Sequence, residues 1–389
     1  MLIARSGRTY VWMRNLFLFA VLLVVGALFR PHSEHANSKS ERAGAMAILA
    51  SPATSQFSRA QEPAAFEFPR DHATHKDFRT EWWYFTGHLS DSNARPFGFQ
   101  LTLFRFELDR DSLESRSAWR TPRILLGHFA ISDIENDSFH HFERMSRAHP
   151  SIAGVSQQPV AVWLDDWRIE FDAQTSPPSW RLRAAQQSIE LDLNLTSRHA
   201  VIKQGDAGLS RKSAALGNAS YYYSVPRLTA GGRLRLGAED HHVTGQAWLD
   251  REWSTSALDR EQQGWDWFAV QFEDQSSLMF YRLRKFDGGD DAHSAGTYVD
   301  SSGNATRLEA SDVSIVITDY WTSAATNIRY PHGWRLEVPR LGLSVAMRPR
   351  LADQEWTGRF RYWEGAVTAV AERHGRPLDG LGYVELTGY

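Results

Sequence analysis

The chain has 389 residues and no cysteine, which excludes disulfides, thiolate metal sites, a cysteine nucleophile and a lipid-modified N-terminal cysteine. Its 43 basic residues against 46 acidic ones leave a formal charge of −3, so there is no electrostatic footprint for nucleic acid. With 15 Trp, 21 Phe and 12 Tyr, the expectation is buried aromatic cavities rather than disorder, in a chain long enough for two domains.

At the N-terminus, Arg5, Arg8 and Arg14 precede an uninterrupted apolar run from Leu16 to Phe29. A positive flank followed by an apolar run is the pattern of a secretory signal, and 14 residues is short for a membrane span. A small-residue site comes only later, at Ala43-Gly44-Ala45. Residues 1–30 are therefore read as a signal peptide or a retained anchor in the inner membrane. The body is expected to be exported, either periplasmic or secreted. Residues 31–65, rich in Ser, Ala, Glu and His, read as a flexible linker.

Short strands dominate from Phe66 onward. Pro96 to Phe106 and Trp180 to Ala184 alternate, and Ile189, Leu191, Leu193 and Leu195 form a clean period-2 stripe with acids and an amide between them. Later strands are Leu278 to Phe286, Val313 to Thr318 and Trp334 to Val338, separated by turns such as Asp287-Gly288-Gly289 and Ser302-Gly303-Asn304. No stretch shows a sustained period of 3.6. The fold class is all-β, with barrels or sandwiches favoured. A boundary after the Gly231-Gly232 turn and the strand Arg233 to Leu236 divides the chain into domains at 66–240 and 241–389, with no residue-level repeat between them.

Three segments interleave acids with large rings. In Glu81-Trp82-Trp83-Tyr84-Phe85-Thr86, a strand puts Glu81, Trp83 and Phe85 on one face and Trp82, Tyr84 and Thr86 on the other. In Trp248-Leu249-Asp250-Arg251-Glu252-Trp253, Trp248, Asp250 and Glu252 share a face, and the two acids stand about 7 Å apart along the strand. That spacing suits a coupled acid/base pair, or equally an ion-pair network. In Gly264-Trp265-Asp266-Trp267-Phe268, Asp266 shares a face with Phe268, Val270 and Phe272, where desolvation would keep a carboxyl protonated. The bland alternative is a strand-end acid bonded to backbone or an indole. No His/acid spacing matches a metal motif, and there is no G-x-S-x-G elbow, Walker loop or dinucleotide fingerprint, so neither metal nor cofactor is expected.

These motifs resemble those of the AttH-like / carotenoid 1,2-hydratase (CrtC) family. The resemblance is carried by Phe68-Pro69-Arg70-Asp71-His72, His75, Thr80 to Leu89, Trp248 to Ser254 and Gly264 to Phe268. Tyr330-Pro331-His332-Gly333-Trp334, Tyr362 to Val367 and Gly382 to Tyr389 extend it, so that it runs from about Phe66 to the last residue. It implies two tandem lipocalin-like β domains, and a secreted protein handling hydrophobic molecules. The family's named activity is cofactor-independent hydration of a carotenoid end-group alkene. The hydratases read Trp-Trp-Tyr-Val-Asp-Ala-Leu where this chain has Trp82-Trp83-Tyr84-Phe85-Thr86-Gly87-His88-Leu89, which sets it nearer the exported branch labelled as predicted secreted hydrolases.

If the chain is an enzyme, Asp266 is the expected acid, with Asp250 or Glu252 taking the proton of the attacking water. Glu81, Trp82, Trp83, Tyr84, Trp248, Trp265 and Trp267 are the expected ligand-binding wall, although Glu81, with no partner acid nearby in sequence, also suits a structural role. The reaction would be acid-catalysed hydration or cyclisation of a polyene, isoprenoid or lipid. Two other classes remain open: a carrier that shelters an apolar ligand unchanged, and an assembly partner of an envelope transport complex.

Overall fold

The computed structural model describes residues 56–108, 121–197, 199–255 and 258–389. The expected signal or anchor lies outside the described residues, as does most of the expected linker. The end of that linker is not loose. Phe57 and Ala60 are buried, and Ala60 packs with Leu209 and Ala219.

The described residues form two curled antiparallel sheets. The first holds β1 (Thr80–Asp91), β2 (Pro96–Glu107), β3 (Arg123–Asp133), β4 (Ser138–Arg147), β5 (Ala153–Gln157), β6 (Val160–Leu164), β7 (Trp167–Asp172), β8 (Ser179–Gln186) and β9 (Ile189–Thr196). It is completed by β10 (Ile202–Lys203), β11 (Leu209–Arg211), β12 (Ala219–Leu236) and β13 (Glu239–Ser254). The strand order is β4-β3-β2-β1-β13-β12-β9-β8-β7-β6-β5, with β10 and β11 paired to β12.

The second sheet holds β14 (Gln262–Phe272), β15 (Ser277–Lys285), β16 (Ala295–Val299), β17 (Ala305–Glu309), β18 (Ser314–Thr322) and β19 (Arg329–Val338). It continues with β20 (Leu343–Pro349), β21 (Glu355–Thr357), β22 (Arg361–Arg373), β23 (Arg376–Pro377) and β24 (Gly380–Thr387). Its order is β17-β16-β15-β14-β24-β22-β20-β19-β18.

Both sheets follow one path. The first strand starts a four-strand meander on one side, and the last strand returns to pair with it on the other. This repeat is topological and was not visible in the residues. It also moves the domain boundary. The expected break at 240/241 falls inside the β12–β13 hairpin, and the first sheet runs on to Ser254, because β13 is the strand that pairs with β1. The turn at Gly237 closes a hairpin rather than a domain.

Period 2 decides what each strand presents. On β9, Ile189, Leu191, Leu193 and Leu195 are buried and join the core inside the first sheet. On β1, Trp83, Phe85 and Leu89 enter that same core, while Tyr84 points out of it toward the second sheet. On β14, Phe268, Val270 and Phe272 fill the second sheet's own core, while Trp267 and Ala269 face the first sheet. The central strands are thus buried on both faces, which is why they read as nearly unbroken apolar runs.

The two sheets press their outer faces together through a third cluster, made of Tyr84, Tyr222, Trp248, Leu258, Trp267, Ala269, Met279, Tyr281 and neighbours. Polar bonds cross the same interface. His88 Nε2 lies 2.8 Å from the carbonyl oxygen of Gly382, Ser132 donates to Gln354 at 2.7 Å and Thr297 donates to Gln204 at 2.6 Å. At Gly98 a Cβ would stand 2.6 Å from the Tyr383 hydroxyl, so only glycine lets β2 approach β24 this closely.

Candidate active site

The site lies between the sheets, and strand register assembles it. On β1, Trp82, Tyr84 and Thr86 stand directly opposite Glu252, Asp250 and Trp248 of β13. On the other side of β13, Tyr222 and Ser224 of β12 stand opposite Glu252 and Asp250. All of these sit at alternate positions, so they share one face of the sheet. From the second sheet, Trp267 stands opposite Glu385, and Glu385 opposite Glu364.

Asp250 is buried, at 3% exposed. The Tyr222 hydroxyl is 2.5 Å from its Oδ2, while Ser224 and the Trp248 indole N–H donate to Oδ1 at 2.5 and 2.7 Å. Burial pushes its carboxyl up to about 7 against the pull of those three donors, and Glu252 adds to the rise. Glu364 is raised by burial and then by Glu385, and its Oε1 accepts from Tyr84 at 2.5 Å. Glu385 is pushed up to about 7, first by burial and then by Asp250 and Glu252, while the Trp265 indole pulls the other way. Two carboxyls directly opposite one another on adjacent strands repel as anions, and holding a proton relieves that repulsion.

Glu252 has a different environment. Lys212 Nζ lies 3.0 Å from its Oε1 and 4.3 Å from the centroid of the Tyr281 ring. Burial disfavours the Lys212 ammonium, but the Glu252 charge outweighs it and raises its pKa. The cluster therefore holds one ion pair and three acids that favour the protonated form. Around them, Tyr84 and Trp248 meet Trp267 edge-on at centroid distances of 5.2 and 6.3 Å. Burial raises the hydroxyls of Tyr84, Tyr222, Tyr362 and Tyr383 far above their usual value, so they remain neutral donors. Next to Trp248, a recess of about 10 Å³ is lined by Thr86, His88, Gln271 and Tyr383. That is the size that admits one water.

Of the residues expected from sequence, Asp250 and Glu252 are here, as are Trp82, Tyr84, Trp248, Trp265 and Trp267. Three are not. Glu81 and Trp83 point into the core of the first sheet. Glu81 is paired there with Arg105 and Arg251, and the Arg251 guanidinium lies 3.8 Å from the centroid of the Trp83 ring. Asp266 is on the face of β14 opposite Trp265 and Trp267. Arg282 reaches its Oδ2 at 2.5 Å, Arg284 its Oδ1 at 2.9 Å, and the Tyr389 hydroxyl donates to it at 2.9 Å.

A carboxylate held by two guanidinium groups is a charge partner, not a proton donor, so the role expected for Asp266 is withdrawn. Sequence placed Asp266 correctly on an apolar face but could not show the two arginines one strand away. Asp266→Asn is expected to lower the melting temperature by leaving Arg282 and Arg284 uncompensated, without loss of turnover per folded molecule. Thermal unfolding alongside activity normalised to folded protein checks this.

Glu364 and Glu385 were missed, although their signal was present. Tyr362-x-Glu364 and Tyr383-x-Glu385 repeat the ring/acid alternation of Trp248-x-Asp250. Lys212 carries no such pattern, since it comes from the segment after β11.

Two lipocalin-like sheets packed over a buried cluster of acids and tyrosines define the class of protein. The chain belongs to the AttH-like family, whose pattern matches residues 59–389. An AttH-like protein of Nitrosomonas europaea, solved as a crystal structure, is 35% identical with a TM-score of 0.76, covering 86% of this chain and all (100%) of that one. Kievitone hydratase of Nectria haematococca shares the fold at 14% identity, with a TM-score of 0.66 over 87% of this chain and 98% of that one. The dehydratase asqC of Emericella nidulans is 24% identical over 221 residues, which is 53% of this chain and 60% of that protein's length.

Proposed function

We propose that the chain adds water to, or removes it from, a small neutral hydrophobic molecule by side-chain acid–base catalysis. The observation that carries this is Asp250, a buried acid whose protonated form burial favours, held between the Trp248 indole and the Tyr222 hydroxyl and packed among aromatic rings. A hydratase and a dehydratase among its relatives support the reaction class. The electrostatics support the substrate class. Lys212 is already compensated by Glu252, and an anionic ligand would face Asp250, Glu364 and Glu385 instead.

In the hydration direction, Asp250 gives its proton to one alkene carbon. The faces of Trp248 and Trp267 stabilise the cation on the other carbon, at about 2 kcal/mol each when dry. Water bonds to that carbon, and its released proton goes to Glu252, whose charge Lys212 balances in the resting site. Solvent exchange then restores Asp250 and Glu252. The export reading rests on the N-terminal apolar run and stands beside this proposal.

Incubating the purified chain with isoprenoid and phenolic alkenes, and with the matching tertiary alcohols, in ¹⁸O-labelled water tests the reading by mass spectrometry. Gain of one labelled water, or loss of water from the alcohols, is expected. A ligand that binds and is recovered unchanged would mean a carrier instead. The pH profile has a required sign. Since the acid works protonated and its pKa is about 7, kcat is expected to fall as pH rises through about 7.

A further inference from the structure

One group of titratable side chains lies beside the buried acid cluster and takes no part in the chemistry above. We propose that Glu143, His128 and Tyr362 form a proton-exchange line between solvent and the buried acid Glu364. The proposal rests on the reading of the buried acid cluster as an acid–base site, and it concerns how Glu364, the acid of that cluster next to Tyr362, exchanges its proton with solvent.

The line crosses both sheets. Glu143 on β4 stands directly opposite His128 on β3. Its side chain keeps 13% exposure, and its Oε1 is 3.5 Å from the Arg359 guanidinium, which is open to solvent. Its other oxygen, Oε2, faces His128 Nε2 at 3.5 Å, and both atoms are buried without a conventional hydrogen bond. On the far side of the ring, Nδ1 lies 2.7 Å from the Tyr362 hydroxyl of β22. Tyr362 is two residues before Glu364 on the same strand face, close enough to favour the ionised form of that acid. The Oε2 of Glu364 is buried and unpartnered. Three buried atoms without a partner, His128 Nε2, Glu143 Oε2 and Glu364 Oε2, thus lie along one path, and these are gaps that a moving proton closes.

The remaining surroundings fit a relay. His128 packs against Trp356, Phe360 and Phe104, with His141 as the other titratable neighbour on β4. Burial lowers its pKa against the opposing effect of Glu143, so the ring stays neutral, with one nitrogen to donate and one to accept. Around Glu364, the other titratable groups are Glu385, Tyr84 and Tyr383. When Glu364 is a carboxylate, it takes the hydroxyl hydrogen of Tyr362. Tyr362 takes the hydrogen on His128 Nδ1, and Nε2 takes a proton that solvent hydronium hands over by way of Glu143 Oε2, leaving water behind. One proton enters and one arrives, with no net change in the three carriers except the tautomer of the ring.

The line can be tested on the full chain without any substrate. The carboxyl C=O stretch of Glu364 is assigned by infrared difference against Glu364→Gln, and its shift is followed after transfer into D₂O. Tyr362→Phe, which removes only a hydroxyl, and His128→Gln are each expected to slow that shift on the order of 100-fold, the lower end of what a positioned acid–base group supplies. Unchanged exchange in a folded Tyr362→Phe protein overturns the proposal, whatever the chain is found to catalyse. Slowed exchange in a protein that turns over no substrate would sustain the line while removing the hydro-lyase reading. The two claims therefore fail separately.

Discussion

Asp250→Asn is expected to lower kcat by about 10²- to 10⁴-fold, the range supplied by a positioned general acid, while making the folded chain more stable above neutral pH. Both effects have one cause. The amide fits the site: its oxygen keeps the Ser224 and Trp248 donors, and the Tyr222 hydroxyl turns from donor to acceptor. It has no proton to give. For stability, burial holds the carboxyl at about 7, above its unfolded value of 3.8.

Between those two values the unfolded chain releases a proton that the folded chain retains. Stability therefore falls as pH rises through the window and levels off above about 7. The full difference corresponds to about 4 kcal/mol, an upper figure for the cost of keeping this acid in place. Asparagine removes that dependence. Denaturant midpoints at pH 5 and pH 8, with turnover at each, would show it. A variant that keeps full turnover, or whose stability declines with pH as steeply as the parent's, contradicts the role given to Asp250.

Glu81→Gln is expected to destabilise the chain by about 3–5 kcal/mol, a large share of a typical 5–15 kcal/mol total. Glu81 sits directly opposite Arg105 on β2, and Arg251 on β13 reaches it from the other side at 3.0 Å. All three side chains are fully buried, and His75 approaches the acid at 3.4 Å. Removing the anion leaves two guanidinium groups in the core of the first sheet. Burial alone would raise the Glu81 carboxyl, but Arg105 and Arg251 prevail and hold it well below its usual 4.5.

The sign follows from that depression. The stabilisation is complete above the unfolded value and is lost as pH falls through the folded one. The gap between parent and variant, measured by equilibrium unfolding, is therefore wide at pH 7 and narrows in acid below 4.5. A gap that stays constant with pH would remove the charge network as its cause. Since β1, β2 and β13 carry this network on one face, and Tyr84 and Asp250 on the other, loosening it also disturbs the active site.

Asp266 repeats the device in the second sheet. It stands directly opposite Arg282 on β15, as Glu81 stands opposite Arg105 on β2. The two sheets thus share an inward acid on the first strand, matched by an arginine on the second, although the surrounding residues differ. An acid on an apolar face looks the same in sequence whether it awaits a substrate or an arginine. The deciding partner is one strand away, at a register that only the paired sheet supplies.

From sequence alone, period 2 and the turn residues determined the all-β class, most of the strands and the division of each central strand into two faces, because side-chain direction alternates locally and needs no distant partner. The same alternation placed Asp250 and Glu252 together with Trp248. Tertiary structure decided which face was a sheet's own core and which was the interface between the sheets. It also brought Glu364 and Glu385 across from the last strands and set Lys212 against Glu252. Those outcomes depend on contacts between strands and segments distant in sequence, where no local pattern reaches.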